Sequence, residues 1–253
     1  MKNQYAGDVG DLSKFALLKS LRKTFPGEKV GILWYLTPND PSERETKDGR
    51  FTDYEELYGC DPYLYRDLQE VVAGEPRRIS DFKRVGLMEG ITEFDEVLDT
   101  STMTVSSRRD ARRAWFGRGL NALADCSLIL LDPDNGLQPR SLRPEDTKVD
   151  KFAFRTELVD LHDRGKTVIC YQHSSRTRPF NSVLLEILST LPGSFALQWH
   201  RLQARAYVVW PVASREREVE LWGENLTRGP WRTHFTMAPS VTRLPNSLAR
   251  NML

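Results

Sequence analysis

Three short apolar runs constrain this chain more than anything else in it. Lys29–Leu36 reads KVGILWYL, Ser127–Leu131 reads SLILL and Thr167–Tyr171 reads TVICY. None alternates apolar with polar residues, as a half-solvated strand does. Continuous runs of this length mark strands covered on both faces. Helical patterns lie between them. In Asp11–Phe25, Leu12, Phe15, Leu18, Leu21 and Phe25 recur at three or four, and Pro26-Gly27 ends the pattern. Further helices are predicted over Asp61–Ala73, Ser80–Val85, Ser107–Ala124, Phe152–Asp163 and Asn181–Leu191. Thr102–Ser106 predicts a short strand. Phe195–Leu202 and Ala204–Val212 alternate across a brief turn and predict an antiparallel pair.

Strands alternating with helices predict an α/β fold, a Rossmann-like three-layer sandwich with a largely parallel sheet and a C-terminal antiparallel hairpin. The 253 residues suit one large domain. We expect a single α/β catalytic domain over 1–227 and a basic, irregular tail over 228–253, which holds Pro230, Pro239 and Pro245. A composition 40% apolar and 28% charged excludes collagen-like, coiled-coil and wholly disordered chains. No apolar run approaches the roughly 18–20 residues of a membrane span. The opening MKNQYAGDVGDLSKF lacks the apolar stretch of a signal peptide. A cytoplasmic protein that does not enter membranes is expected. Cys60, Cys126 and Cys170 are scattered and form no CxxC pair, which argues against a disulfide framework or a zinc site.

The net charge of +1 announces no polyanion partner. Local charge says more. Arg108, Arg109, Arg112 and Arg113 share one face of the predicted 107–124 helix and are candidates to follow a phosphate backbone; a solvated helix face is the plainer reading.

In open α/β sheets, ligands bind beyond the carboxyl ends of the strands. Three polar segments leave strand ends here: Thr37-Pro38-Asn39-Asp40, Asp132–Gly136 and Gln172–Arg176. Asp132-Pro133-Asp134-Asn135-Gly136 sets two carboxylates and an amide beside a buried strand, where burial tunes a carboxyl toward base chemistry near neutrality. His173 is placed to stabilise a developing anion, and Arg176 and Arg178 suit phosphate. At the N-terminus, Tyr5–Lys14 reads YAGDVGDLSK. Asp11 is a plausible cap of the first helix, Asp8 a candidate water-activating base, and Lys14 a phosphate or carboxylate partner. Tyr35 and Tyr171, at strand ends, are candidates to stack on an extruded base. His162, His200 and His234 read as structural.

Four motifs carry a resemblance: YxGDxxDxxKFxLLxxL, GxxWYLTPND…DGRF, LxLLDPDNGL and YQHSSR. Together they cover roughly residues 1–210. On them the chain resembles the Brig-type family of anti-phage DNA glycosylases. The resemblance implies excision of a modified cytosine, α-glucosyl-hydroxymethylcytosine, from phage DNA to leave an abasic site. A second likeness competes. YAGDVGDLSKFALLKSL followed by an LLDP turn is similar to the 23S rRNA adenine-N6 methyltransferases, which bind S-adenosylmethionine, and a sheet-ending hairpin is common in methyltransferase-like folds. Yet Asp134-Asn135-Gly136 lacks the aromatic residue of their DPPY motif, and Leu36–Asp40 lacks a glycine for the methyl-donor loop. A weaker analogy links Thr37–Asp40 and His173–Arg176 to the motifs of the uracil-DNA glycosylase superfamily.

The expected function is therefore a DNA glycosylase with DNA as its partner and no metal or other cofactor. The expected catalytic residues are Asp8, Asp132, Asp134, Asn135 and His173. Tyr35, Asn39, Tyr171 and Gln172 are expected to hold the base, and Lys14, Arg108, Arg109, Arg112, Arg113, Arg176 and Arg178 the phosphates. An S-adenosylmethionine-dependent nucleic-acid methyltransferase and a non-catalytic nucleic-acid binder stay open as alternatives. Oligomeric state is not readable from the sequence.

Overall fold

The computed structural model describes residues 1–39, 49, 51–74, 76–143, 146, 148–174, 178–201 and 204–238. A seven-stranded sheet forms from β1 (Val30–Trp34), β2 (Ile91–Phe94), β3 (Leu128–Asp132), β6 (Thr167–His173), β7 (Phe195–Trp199), β8 (Arg205–Trp210) and β9 (Phe235–Ala238), in the order β2-β1-β3-β6-β8-β7-β9. The short β4 (Gly136–Leu137) and β5 (Phe152–Ala153) pair with each other. Strands β1, β2, β3, β6 and β7 run one way; β8 and β9 run against them.

The unbroken apolar runs are explained by packing on both sides. Leu128 and Leu130 face one core, Ile129 and Leu131 the other. The first core is covered by α1 (Val9–Thr24), α2 (Pro62–Ala73), α3 (Asp81–Arg84) and α7 (Glu216–Arg228). The second is covered by α4 (Val105–Ala122), α5 (Arg155–Asp163) and α6 (Phe180–Ser189). Helix α1 buries Leu12, Phe15, Leu17, Leu18 and Leu21, and each such side chain contributes about 1.5–3 kcal/mol of transfer free energy. It therefore holds its N-terminus firmly against the sheet.

Several expectations are corrected. Thr102–Ser106 is no strand: Thr104 caps α4, accepting from Ser107 N. Among the strands missed is β2, an edge strand whose Thr92 and Glu93 break any apolar run. Phe152–Ala153 is extended, so α5 starts later, at Arg155. The segment after 227 does not begin a separate tail. Trp231 and Phe235 are buried, and β9 pairs with β7. Residues 239–253, with Arg243 and Arg250, lie outside the described residues. No helix among the described residues is long and apolar enough to cross a membrane.

Candidate active site

A cleft of about 1220 Å³ opens at the carboxyl ends of β3 and β6, under the start of α1. Spacing in the sequence builds its wall. Asp8, Asp11 and Lys14 recur at three and so share one helix face. Asp8 is the cap of α1, its Oδ1 accepting from Gly10 N (2.7 Å) and Asp11 N (3.1 Å). That replaces Asp11 in the capping role. Asp11 lies inside the helix instead, where Oδ2 accepts from Gly7 N at 2.8 Å and Oδ1 from Lys14 at 2.7 Å.

Lys14 reaches on to Asp132 Oδ2 at 2.8 Å and lies over the Trp34 ring. Burial raises the Asp11 and Asp132 carboxyls above the ordinary carboxylate value, with Lys14 pulling the other way. Burial also opposes the Lys14 charge, but Asp11 and Asp132 outweigh it and hold the ammonium above its ordinary range. Of the two partners expected for Lys14, the structure shows carboxylates, Asp11 and Asp132, and leaves its ammonium committed to them rather than to phosphate. Asp134 Oδ1 pairs at 2.7 Å with the Met1 ammonium, which also donates to Tyr35 O. The Asn135 side chain lines the cleft and makes no hydrogen bond among the described residues. Its backbone is held from both sides, by Lys151 O and by the Gln172 amide.

Strand β6 supplies the opposite wall. Alternation turns Gln172 to one side of the sheet and Tyr171 and His173 to the other. The Tyr171 hydroxyl lies 3.1 Å from His173 Nδ1. Burial pushes that phenol up to about 12, with Arg205 opposing, so it keeps its proton near neutrality. Gln172 is spent on structure. Its Oε1 accepts from Leu137 N, and its amide donates to His173 O and Asn135 O. Gly136 makes this closure possible. Its φ is +99°, and a Cβ there would stand 2.5 Å from Gln172 Oε1. Gln172 therefore fixes the Asp134–Gly136 turn rather than reading a base edge.

The structure brings Asp8, Lys14, Asp132, Asp134, Asn135, Tyr171, Gln172, His173 and Arg178 to one cleft. It removes others. Tyr35 is fully buried, its hydroxyl donating to Glu157 Oε2 at 2.9 Å and its ring against Trp115, so no base can stack on it. Asn39 is exposed and does not line the cleft, and its Oδ1 accepts from Gln4 N at 3.4 Å. The arginine face of α4 does not act as a unit. Arg112 is buried: Nε and Nη2 donate to Glu157, and Nη1 and Nη2 donate to Val149 O and Phe152 O. Arg108 donates to Met103 O and Ser101 O. Arg109 and Arg113 are exposed, and none of the four lines the cleft. Arg176 lies outside the described residues.

Sequence reasoning missed other cleft residues. Arg140, Lys148, Lys151 and Arg155 stand with Arg178 around a mostly basic rim, in which Glu186 pairs with Arg140 and Arg178. Arg140 and Lys148 come from the polar stretch before Asp150, Lys151 follows it, and Arg155 lies at the start of α5, where the predicted helix carries no functional signal. Arg205 opens an otherwise apolar strand, β8, and only its antiparallel register against His173 carries it here. Among the described residues, no group of three or more His, Cys, Asp or Glu is arranged to hold a metal ion.

Comparison with protein-family models, with curated proteins and with solved structures finds no match for this chain.

Proposed function

We propose that the cleft is the active site of a DNA glycosylase built on a Rossmann-like sandwich, acting on a modified cytosine of the kind the sequence resemblance implies for phage DNA. One observation carries the reading. Asp8 and Asp134 stand in the same cleft as Tyr171, His173 and the uncommitted Asn135 amide, at the carboxyl ends of the central strands. Ligand pockets commonly span about 300–1,000 Å³, so this cleft has room for an extruded nucleotide with an attached hexose.

The chemistry follows from the residue types. Asp8 or Asp134 takes a proton from water as its oxygen bonds to the anomeric carbon. The C1′–N bond breaks and its electrons leave with the base. A second carboxylate nearby offsets the positive charge that develops on the sugar. Asn135 is suited to position the water or the base edge. Tyr171 offers a ring for stacking, and the basic rim suits the phosphates on either side.

The test is incubation with DNA carrying glucosylated hydroxymethylcytosine, beside unmodified DNA. Free base is sought by mass spectrometry and abasic sites by alkaline cleavage. Release from modified DNA, lost in Asp8→Asn or Asp134→Asn, is the expected result. No release from any DNA defeats the reading.

The hairpin of β7 and β8 favours a methyltransferase as second reading. Against it, Asp132 is tied to Lys14, and the segment after β1 buries Tyr35 where a donor loop is needed. Calorimetric binding of S-adenosylmethionine decides between them.

A further inference from the structure

Arg205 is 4% exposed, yet its guanidinium makes no hydrogen bond and no ion pair among the described residues, and its Nε is buried without a hydrogen-bond partner among them. The contrast with Arg112, equally buried and bonded through every nitrogen, is direct. A buried cation with unused donors costs stability and calls for an explanation.

Its surroundings supply one. Arg205 pairs across the sheet with His173, and the next such pair is Tyr207 with Tyr171. Residues directly opposite one another share a face, so the four side chains form one patch beneath the start of α1. Gly10 lies over that patch. A Cβ at Gly10 would come within 3.0 Å of both an Arg205 terminal nitrogen and Asp8 Oδ1. Bare backbone there leaves the guanidinium and the carboxylate side by side without joining them. Asp8 Oδ1 is instead held by the two amides at the start of the helix.

A standing phosphate is a poor occupant. Asp8, Asp11, Asp132 and Asp134 line the same floor, against Lys14, the Met1 ammonium and Arg205. A group that is neutral on entry and gains negative charge only during reaction fits better.

We propose that Arg205 is a catalytic residue that stabilises the pyrimidine base as it departs. The inference rests on the glycosylase reading. As the C1′–N1 bond breaks, its electron pair passes into the ring and onto the exocyclic O2, while water oxygen bonds to C1′ and its proton goes to a carboxylate. The guanidinium donates to that growing charge, and the released base then takes a proton from solvent. In a water-poor site, one such preorganised donor is worth about 10²–10³-fold in rate.

The experiment is single-turnover excision from DNA carrying 5-substituted cytosines whose anions differ in stability. Arg205→Lys is expected to slow excision by about 10²–10³-fold, to lose least on the base with the most stable anion, and to bind DNA as the unaltered protein does. Arg205→Ala is expected to regain activity with added guanidinium ion. Gly10→Ala keeps the guanidinium but crowds it, and so is expected to show the same dependence on the base even if removal of Arg205 prevents folding. Folded variants that excise at the original rate, or that slow equally on every base, overturn the proposal while the glycosylase reading stands. No excision by the unaltered protein overturns both.

Discussion

Lys14 donates at 2.7 Å to Asp11 and at 2.8 Å to Asp132, so one buried ammonium joins the first helix to the end of a central strand. Breaking a buried pair from one side typically costs about 3–5 kcal/mol. Lys14→Met is expected to lose that much at neutral pH, measured by urea unfolding. The pH dependence has a definite sign. Burial raises both carboxyls above their unfolded value of 3.8, so the folded chain binds more protons and stability falls as pH climbs above that value. Without the Lys14 attraction the fall steepens, and acidification restores part of the loss. A variant whose stability deficit does not shrink on acidification contradicts this account.

Asp8 caps α1 and, in the proposed reaction, is a candidate base; one substitution separates the two roles. Asn caps a helix about as well as Asp. Asp8→Asn is therefore expected to melt within a degree or two of the unaltered protein while losing the base, a factor of about 10²–10⁴ in excision. Asp8→Ala is expected to lose the cap as well, about 1 kcal/mol. Paired thermal melts and single-turnover rates check this; equal rates in the unaltered protein and Asp8→Asn exclude Asp8 as the base.

On α4, neighbours in sequence differ in kind. Arg112 ties the helix to Glu157 and to the backbone of the 149–152 segment. Arg112→Met is expected to destabilise the fold by about 3–5 kcal/mol. Arg109→Ala and Arg113→Ala, on exposed positions, are expected to stay within about 0.5 kcal/mol. Denaturation midpoints of the three variants test the distinction.

The rim around the cleft predicts how DNA affinity responds to salt. Replacing Lys148 or Arg178 by Ala is expected to weaken binding across sequences and to lower the slope of log affinity against log salt by about 1. Replacing Arg109 or Arg113 is expected to leave the slope unchanged, since neither lines the cleft. The reverse pattern in fluorescence anisotropy titrations would move the DNA path onto α4.

What the sequence makes legible is local. The runs at Lys29–Leu36 and Ser127–Leu131 announce buried strands because both their faces are covered, and Leu12, Phe15, Leu18 and Leu21 announce the buried face of α1. What stays hidden depends on partners far along the chain. Arg112 and Arg113 look alike until Glu157 selects one of them. Tyr35 reads as a strand-end aromatic until the same Glu157 accepts its hydroxyl. Arg205 is a lone arginine before an apolar strand until the register sets it across from His173. β2 and β9 escape notice because an edge strand need satisfy only half the apolar requirement of a central one.

The strand order has a consequence for how this molecule is made. β9 covers β7, whose backbone otherwise presents a row of unpaired donors and acceptors along an apolar ribbon. Such an uncovered margin invites another copy to pair with it. During synthesis that margin stays open until Phe235–Ala238 has left the ribosome, nearly forty residues after β7 itself. Chains cut short at 228 would carry every residue that lines the cleft and are still expected to aggregate more readily, so the segment that covers β7 lies apart from the cleft itself.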